Sequence, residues 1–379
     1  MHLRKNYLKA FDATSLSITK GTGLSMRKSI CLKAILFVFV ISFFLIPFIV
    51  SVQSVSWSWN KVESPINESF KSVSMVDPNN GWAVGWNGVI IRWDGTRWNN
   101  VTSPTKADLK SIDMVSSNEG YAVASETAFP INESVIRWDG TSWNNVTTPR
   151  SYLSSIDMIS STEGWAVGPS GSIFRWDGTS WSRVESPINS PLESVAMVSA
   201  TDGWAVGRSS GTSGINSILH WNGTSWNIVE SPKIVGTRTL WSVDMVSSTD
   251  GWAVGDGGII IRWDGSNWQN VTSPTTKHLF SVDMINSTDG WVVGSDGCII
   301  HWDGANWSNM TSPTTAWLNS VDMISSTDGW IVGANGSIYH WQEENVNVPT
   351  EYLFIIGAVV AVVVASFFLW KRNLKKKSL

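Results

Sequence analysis

Two sets of ionisable side chains recur along the chain at spacings that could assemble a site. Arg92, Arg137, Arg175, His220, Arg262, His301 and His340 each precede a tryptophan in a short apolar run. Asp113, Asp157, Asp244, Asp283 and Asp322 each sit in an S-[VI]-D-M-[VI] segment, with Ser74 and Ala196 at the equivalent place in two further copies. Gathered on a ring, the first set would make a binding surface and the second a metal-lined channel. Groups that repeat round a ring more often satisfy their neighbours through hydrogen bonds, and catalysis needs one place, which a repeat does not single out. Both sets are therefore read as structural. The aspartates of the WDG strings (Asp94, Asp139, Asp177, Asp264, Asp303) are read the same way, as acceptors for turn amides. No catalytic residue, metal ligand or cofactor is assigned.

Those groups are positioned by a repeat. Aligned on a Gly-aromatic pair, seven copies begin at Gly81, Gly120, Gly164, Gly203, Gly251, Gly290 and Gly329; four of the spacings are 39 residues and the other two are 44 and 48. Each copy reads S-[VI]-D-M-[VI], a turn such as SSTDG, WAVG, GxIxRW, DGTSW and NxVTSP. Short runs of Val, Ile and Trp bounded by Gly, Asp-Gly or Pro predict four strands joined by tight turns. About 40 residues and four strands is the size of one propeller blade. The seventh copy lacks its last strand, and residues 59–65 supply a last strand with no copy before it. Together these pieces complete a blade and remove the free edges an open array would leave. The expectation is an all-β chain: one closed seven-bladed β-propeller of four-stranded blades over residues 57–341, the N-terminal strand closing the last blade. Twenty of the 25 tryptophans fall on three fixed repeat positions, with Tyr121 as the one replacement, and are assigned to the space between blades.

The strings GWAVG, GxIxRWDG and xxW resemble the repeats of photosystem II assembly-factor-like propellers and of the wider BNR or Asp-box group, across residues 57–341. That resemblance implies the propeller fold and, for function, an assembly role for a membrane complex. The turns Asp94 to Trp98 and Asp139 to Trp143 are one residue shorter between Asp and Trp than an Asp-box. Tectonin-like lectin propellers have similar Trp-rich blades and bind sugars, but no string here matches them closely. WD-repeat proteins also place Trp-Asp at a strand end; their accompanying Gly-His element is absent.

Departures from the repeat carry the candidate binding face. Blade 2 is extended at 125–133, blade 4 at 208–216, and the connection into blade 5 at 233–241. In propeller topology the loops between second and third strands share a face with the loops between blades, so all three insertions decorate one rim. Rigid scaffolds tend to carry function on such loops. Trp86, Phe129, Arg208, Arg238, Trp241 and Trp317 are the candidate contacts. A glycan-hydrolysing enzyme of the sialidase kind would need a unique cluster of arginines with a paired Tyr and Glu. Tyr152 is the only tyrosine in a blade connection, and the chain is read as a non-enzyme.

Composition and termini place the propeller. A net charge of −4 gives no sign of nucleic acid, and two cysteines build neither a disulfide framework nor a CxxC metal site. Residues 35–50 are almost wholly apolar and follow Arg27, Lys28 and Lys33, so 1–54 is read as a cytoplasmic n-region plus a signal peptide or membrane anchor. Residues 342–351 are a linker, 352–370 are read as a transmembrane helix, and 371–379 as a basic tail that the positive-inside rule keeps cytoplasmic. The propeller is then extracytoplasmic. Ten N-x-S/T sequons fit export and are candidate glycosylation sites: Asn67, Asn100, Asn132, Asn145, Asn222, Asn270, Asn286, Asn306, Asn309 and Asn335.

The leading expectation is a non-enzymatic, membrane-anchored cell-surface propeller that binds a protein or a glycan through its loop-rich face. A structural envelope or surface-layer component, an assembly factor for a membrane complex and a glycan-hydrolysing enzyme follow as alternatives.

Overall fold

The structure is a computed structural model. It describes residues 56–125, 135–148, 152–208, 217–233 and 238–343, with Val362, Ala365 and Ser366. The chain divides into two units, Trp57–Glu344 and the terminal segments Met1–Ser56 with Asn345–Leu379. In the second of these only Ser56 and the three helical residues Val362, Ala365 and Ser366 are described. The apolar segments expected at 1–54 and 352–370 otherwise lie outside the described residues. Among the described residues no helix is long and apolar enough to cross a membrane. The flanking hydrophobic helices of the expected architecture are thus not part of what is described, which is a β-propeller.

Seven four-stranded antiparallel sheets make up the propeller. Blade 1 runs through Phe70–Asp77, Asn80–Gly85, Ile90–Trp93 and Trp98–Val101, and the later blades repeat that order. Blade 7 takes Leu318–Ser325, Asp328–Gly333 and Ile338–Glu343 from the end of the repeat region and Trp57–Lys61 from its start, as the strand count requires. Burial follows strand position. Second strands such as Asp250–Gly255 are buried at nearly every residue because both faces meet neighbouring blades, whereas outer strands such as Trp181–Val184 bury the tryptophan and expose the next two residues.

The tryptophans fill the wedges between blades. Trp82, Trp165, Trp204, Trp252, Trp291 and Trp330 are at most 2% exposed, and Tyr121 completes the seven. Each of these indoles meets an outer-strand tryptophan of the next blade edge-to-face, as Trp252 meets Trp307 at 5.3 Å and 87°. The ring quadrupole favours that geometry. The third-strand tryptophans pack on the same indoles from the next blade, as Trp302 does on Trp252 at 4.8 Å, and also bond within their own blades. All seven donate Nε1–H to a carbonyl of the blade's first turn, from Trp93 to Pro78 O through Trp341 to Ser326 O. The glycine that precedes each second-strand aromatic is set by packing as well. A Cβ at Gly81 would lie 2.1 Å from Sδ of Met75, and the same Met-on-Gly contact recurs in every blade.

Candidate functional site

Three rings of side chains surround or approach the central channel, and they separate scaffold from candidate site. In the first, serine hydroxyls join the inner strands of successive blades. Ser72, Ser111, Ser155, Ser194, Ser242, Ser281 and Ser320 each accept the backbone N–H of the next blade's Ile or Val at 3.2–3.3 Å, and Ser320 returns to Val73 to close the circle. In the second ring, two residues further along, Asp113, Asp157, Asp244, Asp283 and Asp322 accept the next blade's Met N–H at 2.5–2.7 Å. Ser74 does the same for Met114 at 3.1 Å. Ala196 cannot, and the Met245 N–H that it leaves turns to Asp244 of its own strand at 2.8 Å.

These aspartates are half-buried on the channel wall, and their pKa values are raised. Burial is the leading cause for all five. It lifts Asp113 and Asp244 to about 6, Asp322 to about 7 and Asp157 to about 8, and raises Asp283 as well. Repulsion from other aspartates adds to the effect at Asp157, Asp283 and Asp322. Like charges confined in a narrow channel oppose full ionisation. Among the described residues, no group of three or more His, Cys, Asp and Glu has an arrangement that could hold a metal ion.

The basic and imidazole ring lies over the core tryptophans and is paired. Arg137 meets Glu119 at 2.7 Å, Arg175 meets Glu163 at 2.6 Å and Arg262 meets Asp250 at 2.9 Å. His220, His301 and His340 meet Asp202, Asp289 and Asp328 at 2.7–2.8 Å. Arg92 reaches Asn80 at 3.3 Å, where the repeat has no acid. Each group ties the third strand to the start of the second, which occupies its charge locally. The WDG aspartates likewise accept turn amides; Asp177 Oδ1 takes those of Thr179 and Ser180 at 2.8 Å, and these bonds, led by the one from the Thr179 hydroxyl, lower its carboxyl to about 2. Asn222 plays the same part in blade 4.

The third ring is at the channel mouth and does not repeat. The residue between the first apolar residue of each inner strand and the joining serine is Lys71, Lys110, Ser154, Glu193, Trp241, Phe280 or Asn319. A β-bulge lies at this point in blades 1, 2, 4, 5, 6 and 7. The extra residue of a bulge is free to be re-aimed. Blades 5 to 7 make an aromatic arc: Trp241 contacts Phe280 edge-on at 6.3 Å, Phe280 contacts Trp317 at 5.5 Å, and His278 stacks on Phe280 at 6.5 Å. Asp256 anchors it, accepting Trp241 Nε1–H at 2.7 Å and Thr239 N–H at 3.0 Å, and pairing with His278 at 2.9 Å. Burial acts to raise the Asp256 carboxyl, but these hydrogen bonds and the nearby imidazole outweigh it and lower its pKa.

The opposite half of the mouth is charged. Burial, then the Lys110 ammonium, lower the pKa of Lys71, and Asp108 offsets part of this. Lys71 Nζ lies 4.9 Å from the Trp86 ring centroid, a cation–π contact. Burial raises the Glu193 carboxyl against the pull of Arg208 and Lys110. Trp86 is held out by its turn, where Asn87 and Gly88 adopt φ of 56° and 72°. A Cβ at Gly88 would lie 2.1 Å from the Thr105 carbonyl, so the loop between second and third strands packs on the loop that leaves the blade. The two loop types therefore share a face.

Among the candidate contacts, Trp241 and Trp317 join through Phe280, and Trp86 stands apart on blade 1. Trp86 and Trp317 are 43% and 53% exposed. Arg208 is exposed and bridges by its backbone to Thr239, and the Arg238 guanidinium lies over Gly257. Phe129 lies outside the described residues, as do most residues of the three insertions. Nine sequon asparagines are exposed and Asn132 is outside the described residues. Sequence reading missed Lys71, Lys110, His278 and Phe280. For the two lysines and Phe280 the signal was available: between a fixed Leu or Phe and a fixed Ser, theirs is the inner-strand position at which the copies differ most.

The fold and its inner rings define a seven-bladed β-propeller. No protein-family model and no curated protein matches the chain. Solved propellers do. YCF48 bound to D1 peptide superposes with a TM-score of 0.62 at 18% identity, covering 76% of this chain and 95% of that one. YCF48 from Cyanidioschyzon merolae gives 0.61 at 17% identity, with 76% and 100% covered. The WD40 propeller domain of Doa1 gives 0.61 at 12% identity, with 77% and 98% covered. At these identities the likeness is one of fold.

Proposed function

We propose that this chain is a non-enzymatic, protein-binding propeller whose flanking apolar segments hold it extracytoplasmic at a membrane, and whose loop-rich face receives the partner. The observation that carries the reading is the unrepeated channel mouth: repeated charges are bonded within their blade or to the next one, whereas exposed aromatics and lysines gather on one face. Exposed aromatic clusters rimmed by polar groups mark interaction sites. The test is cross-linking of the full-length protein in its native membranes, with the cross-linked residues mapped. Cross-links from a discrete protein partner that cluster on the loop-rich face support the reading. Cross-links confined to the outer strands or the opposite face sink it. Labelling of an Asn100→Cys variant by a membrane-impermeant maleimide on intact cells tests the orientation; protection of that thiol excludes an extracytoplasmic propeller.

A second reading, an assembly factor for a membrane complex, draws on one specific likeness, since the superposed YCF48 is bound to a D1 peptide. Cross-links to subunits of one complex that appear only while that complex is being built favour it over a stable surface receptor.

A further inference from the structure

The two halves of the channel mouth differ in chemistry, and together they specify more than a sticky surface. On blades 5 to 7, Trp241, Phe280 and Trp317 form one continuous aromatic strip, and Trp317 is among the most exposed large apolar side chains of the propeller. On blades 1 and 2, Lys71 and Lys110 occupy the same mouth position of adjacent inner strands, one residue before the Ser72 and Ser111 that join the blades, with Ile112 N–H donating to Ser72 Oγ at 3.2 Å. Neither is in an ion pair among the described residues: Asp108 accepts the Asn87 N–H at 2.9 Å, and Glu193 is bonded by Ser154 and lies near Arg208 as well as Lys110. Two half-buried like charges, met by the Trp86 ring and by carboxylates that form no ion pair with them among the described residues, favour an incoming anion, which would relieve their repulsion and restore the solvation they have lost. Blade 7 joins the halves, since Asn319 Nδ2 donates to the Phe70 carbonyl at the blade 7 to blade 1 boundary.

From this juxtaposition we infer that the mouth binds an extended peptide segment of the partner protein in which an acidic side chain, seated between Lys71 and Lys110, lies a few residues from an aromatic or aliphatic side chain seated on Phe280 and Trp317. The inference rests on the protein-binding reading above and gives the partner's chemistry. A neutral glycan would use the aromatic strip but leave the two lysines without an ion pair, so the observations favour the peptide. The mouth residues are backed by the joining serines and by bulged strand ends, so recognition uses a preformed surface.

The test is selection of a phage-displayed library of random twelve-residue peptides on the full-length protein in detergent, with parallel selections on Lys71→Gln/Lys110→Gln and Phe280→Ala/Trp317→Ala. Circular dichroism and a melting curve check that each variant folds. Enriched peptides are expected to pair Asp or Glu with Trp, Phe or Leu. Their affinity should fall roughly tenfold on the lysine variant, with loss of salt dependence, and roughly a hundredfold on the aromatic variant. A consensus without acidic residues, or one retained on both variants, overturns the inference while leaving a protein-binding propeller intact. So does binding to a neutral oligosaccharide array that vanishes in the aromatic variant, with no peptide enriched. A native cross-linking result without any protein partner would overturn the protein-binding reading itself.

Discussion

The interior of the ring and its mouth are built from the same inner strands, yet they follow opposite rules. Inside, each strand position has one role played seven times: a serine joins the next blade, a methionine covers a glycine, a tryptophan fills a wedge. At the mouth, neighbouring copies of one position hold lysine, serine, glutamate, tryptophan, phenylalanine and asparagine. A position that holds the ring together is the same in nearly every blade because every interface is alike, with Ser74, Ala196 and Tyr121 as the departures. A position that meets a ligand is released from that demand, and its variation shows where the scaffold's requirements stop.

Breaking the interior should have the largest effect. Trp252→Ala removes a fully buried ring packed against Trp302 and Trp307 of blade 6, and should cost about 3–5 kcal/mol of stability in denaturant titration. A loss under about 1 kcal/mol would mean that the wedge can collapse around the gap, against the close packing described.

Acidity gives the next effect. The channel aspartates have folded-state pKa values raised above their unfolded values, so the folded chain binds more protons than the unfolded chain between those limits. This contribution to stability should therefore be fully present near pH 4 and fall as pH rises from there, until it is lost by about pH 6 to 8, where Asp113, Asp244, Asp322 and Asp157 ionise in the folded chain. Melting temperature measured across that range checks the sign. Asp157→Asn keeps a carbonyl oxygen for the Met197 N–H and removes one charge, so it should melt higher than the parent at pH 8 and show a shallower pH slope. A parent protein that melts at the same temperature from pH 4 to 8 would contradict the proton linkage.

Ala196→Asp sharpens the comparison by repairing the one broken link of the second ring. It offers the Met245 N–H an acceptor from the preceding blade, worth about 1 kcal/mol for a net hydrogen bond, while adding a carboxylate to a channel already crowded with them. The variant should be stabilised at pH 5 and lose that gain by pH 8; a gain that grows with pH would refute the repulsion argument. At the mouth the stability effect should be smallest. Trp317→Ala, at an exposed position, and Lys71→Gln, which keeps the half-buried stem and breaks no ion pair among the described residues, are expected to shift unfolding by no more than about 0.5 kcal/mol. A loss of several kcal/mol at either site would assign the mouth to the scaffold.

The circular order of the blades, the closing strand and the tryptophan positions were legible because each is written as a local spacing: about 40 residues per blade, four apolar runs, and a strand at residues 59–65 without a preceding copy. Local pattern also placed Trp86, Trp241 and Trp317 among the candidate contacts, since each is an aromatic outside the repeat. It led attention to the insertions on blades 2 to 5, whereas the described aromatics converge on blades 5 to 7. Phe280 is marked only when the seven copies are compared, as the variable residue between a fixed Leu or Phe and a fixed Ser, and nothing in the immediate neighbours of His278 marks it.

The sequence alone determined the architecture because every blade solves the same problem, burying one sheet between two like it, and seven copies of the solution make its pattern unmistakable. It also indicated that repeated charges would serve structure. The tertiary structure decided which partner each charge serves: Asp157 accepts a hydrogen bond from Met197 in the following blade, and Arg175 pairs with Glu163 within its own. It also brought Trp241, Phe280 and Trp317, from three blades, into one strip on the mouth that carries Lys71 and Lys110. Closing the ring sets those distances, and a spacing of about 40 residues along the chain carries no record of which side chains face one another across the channel.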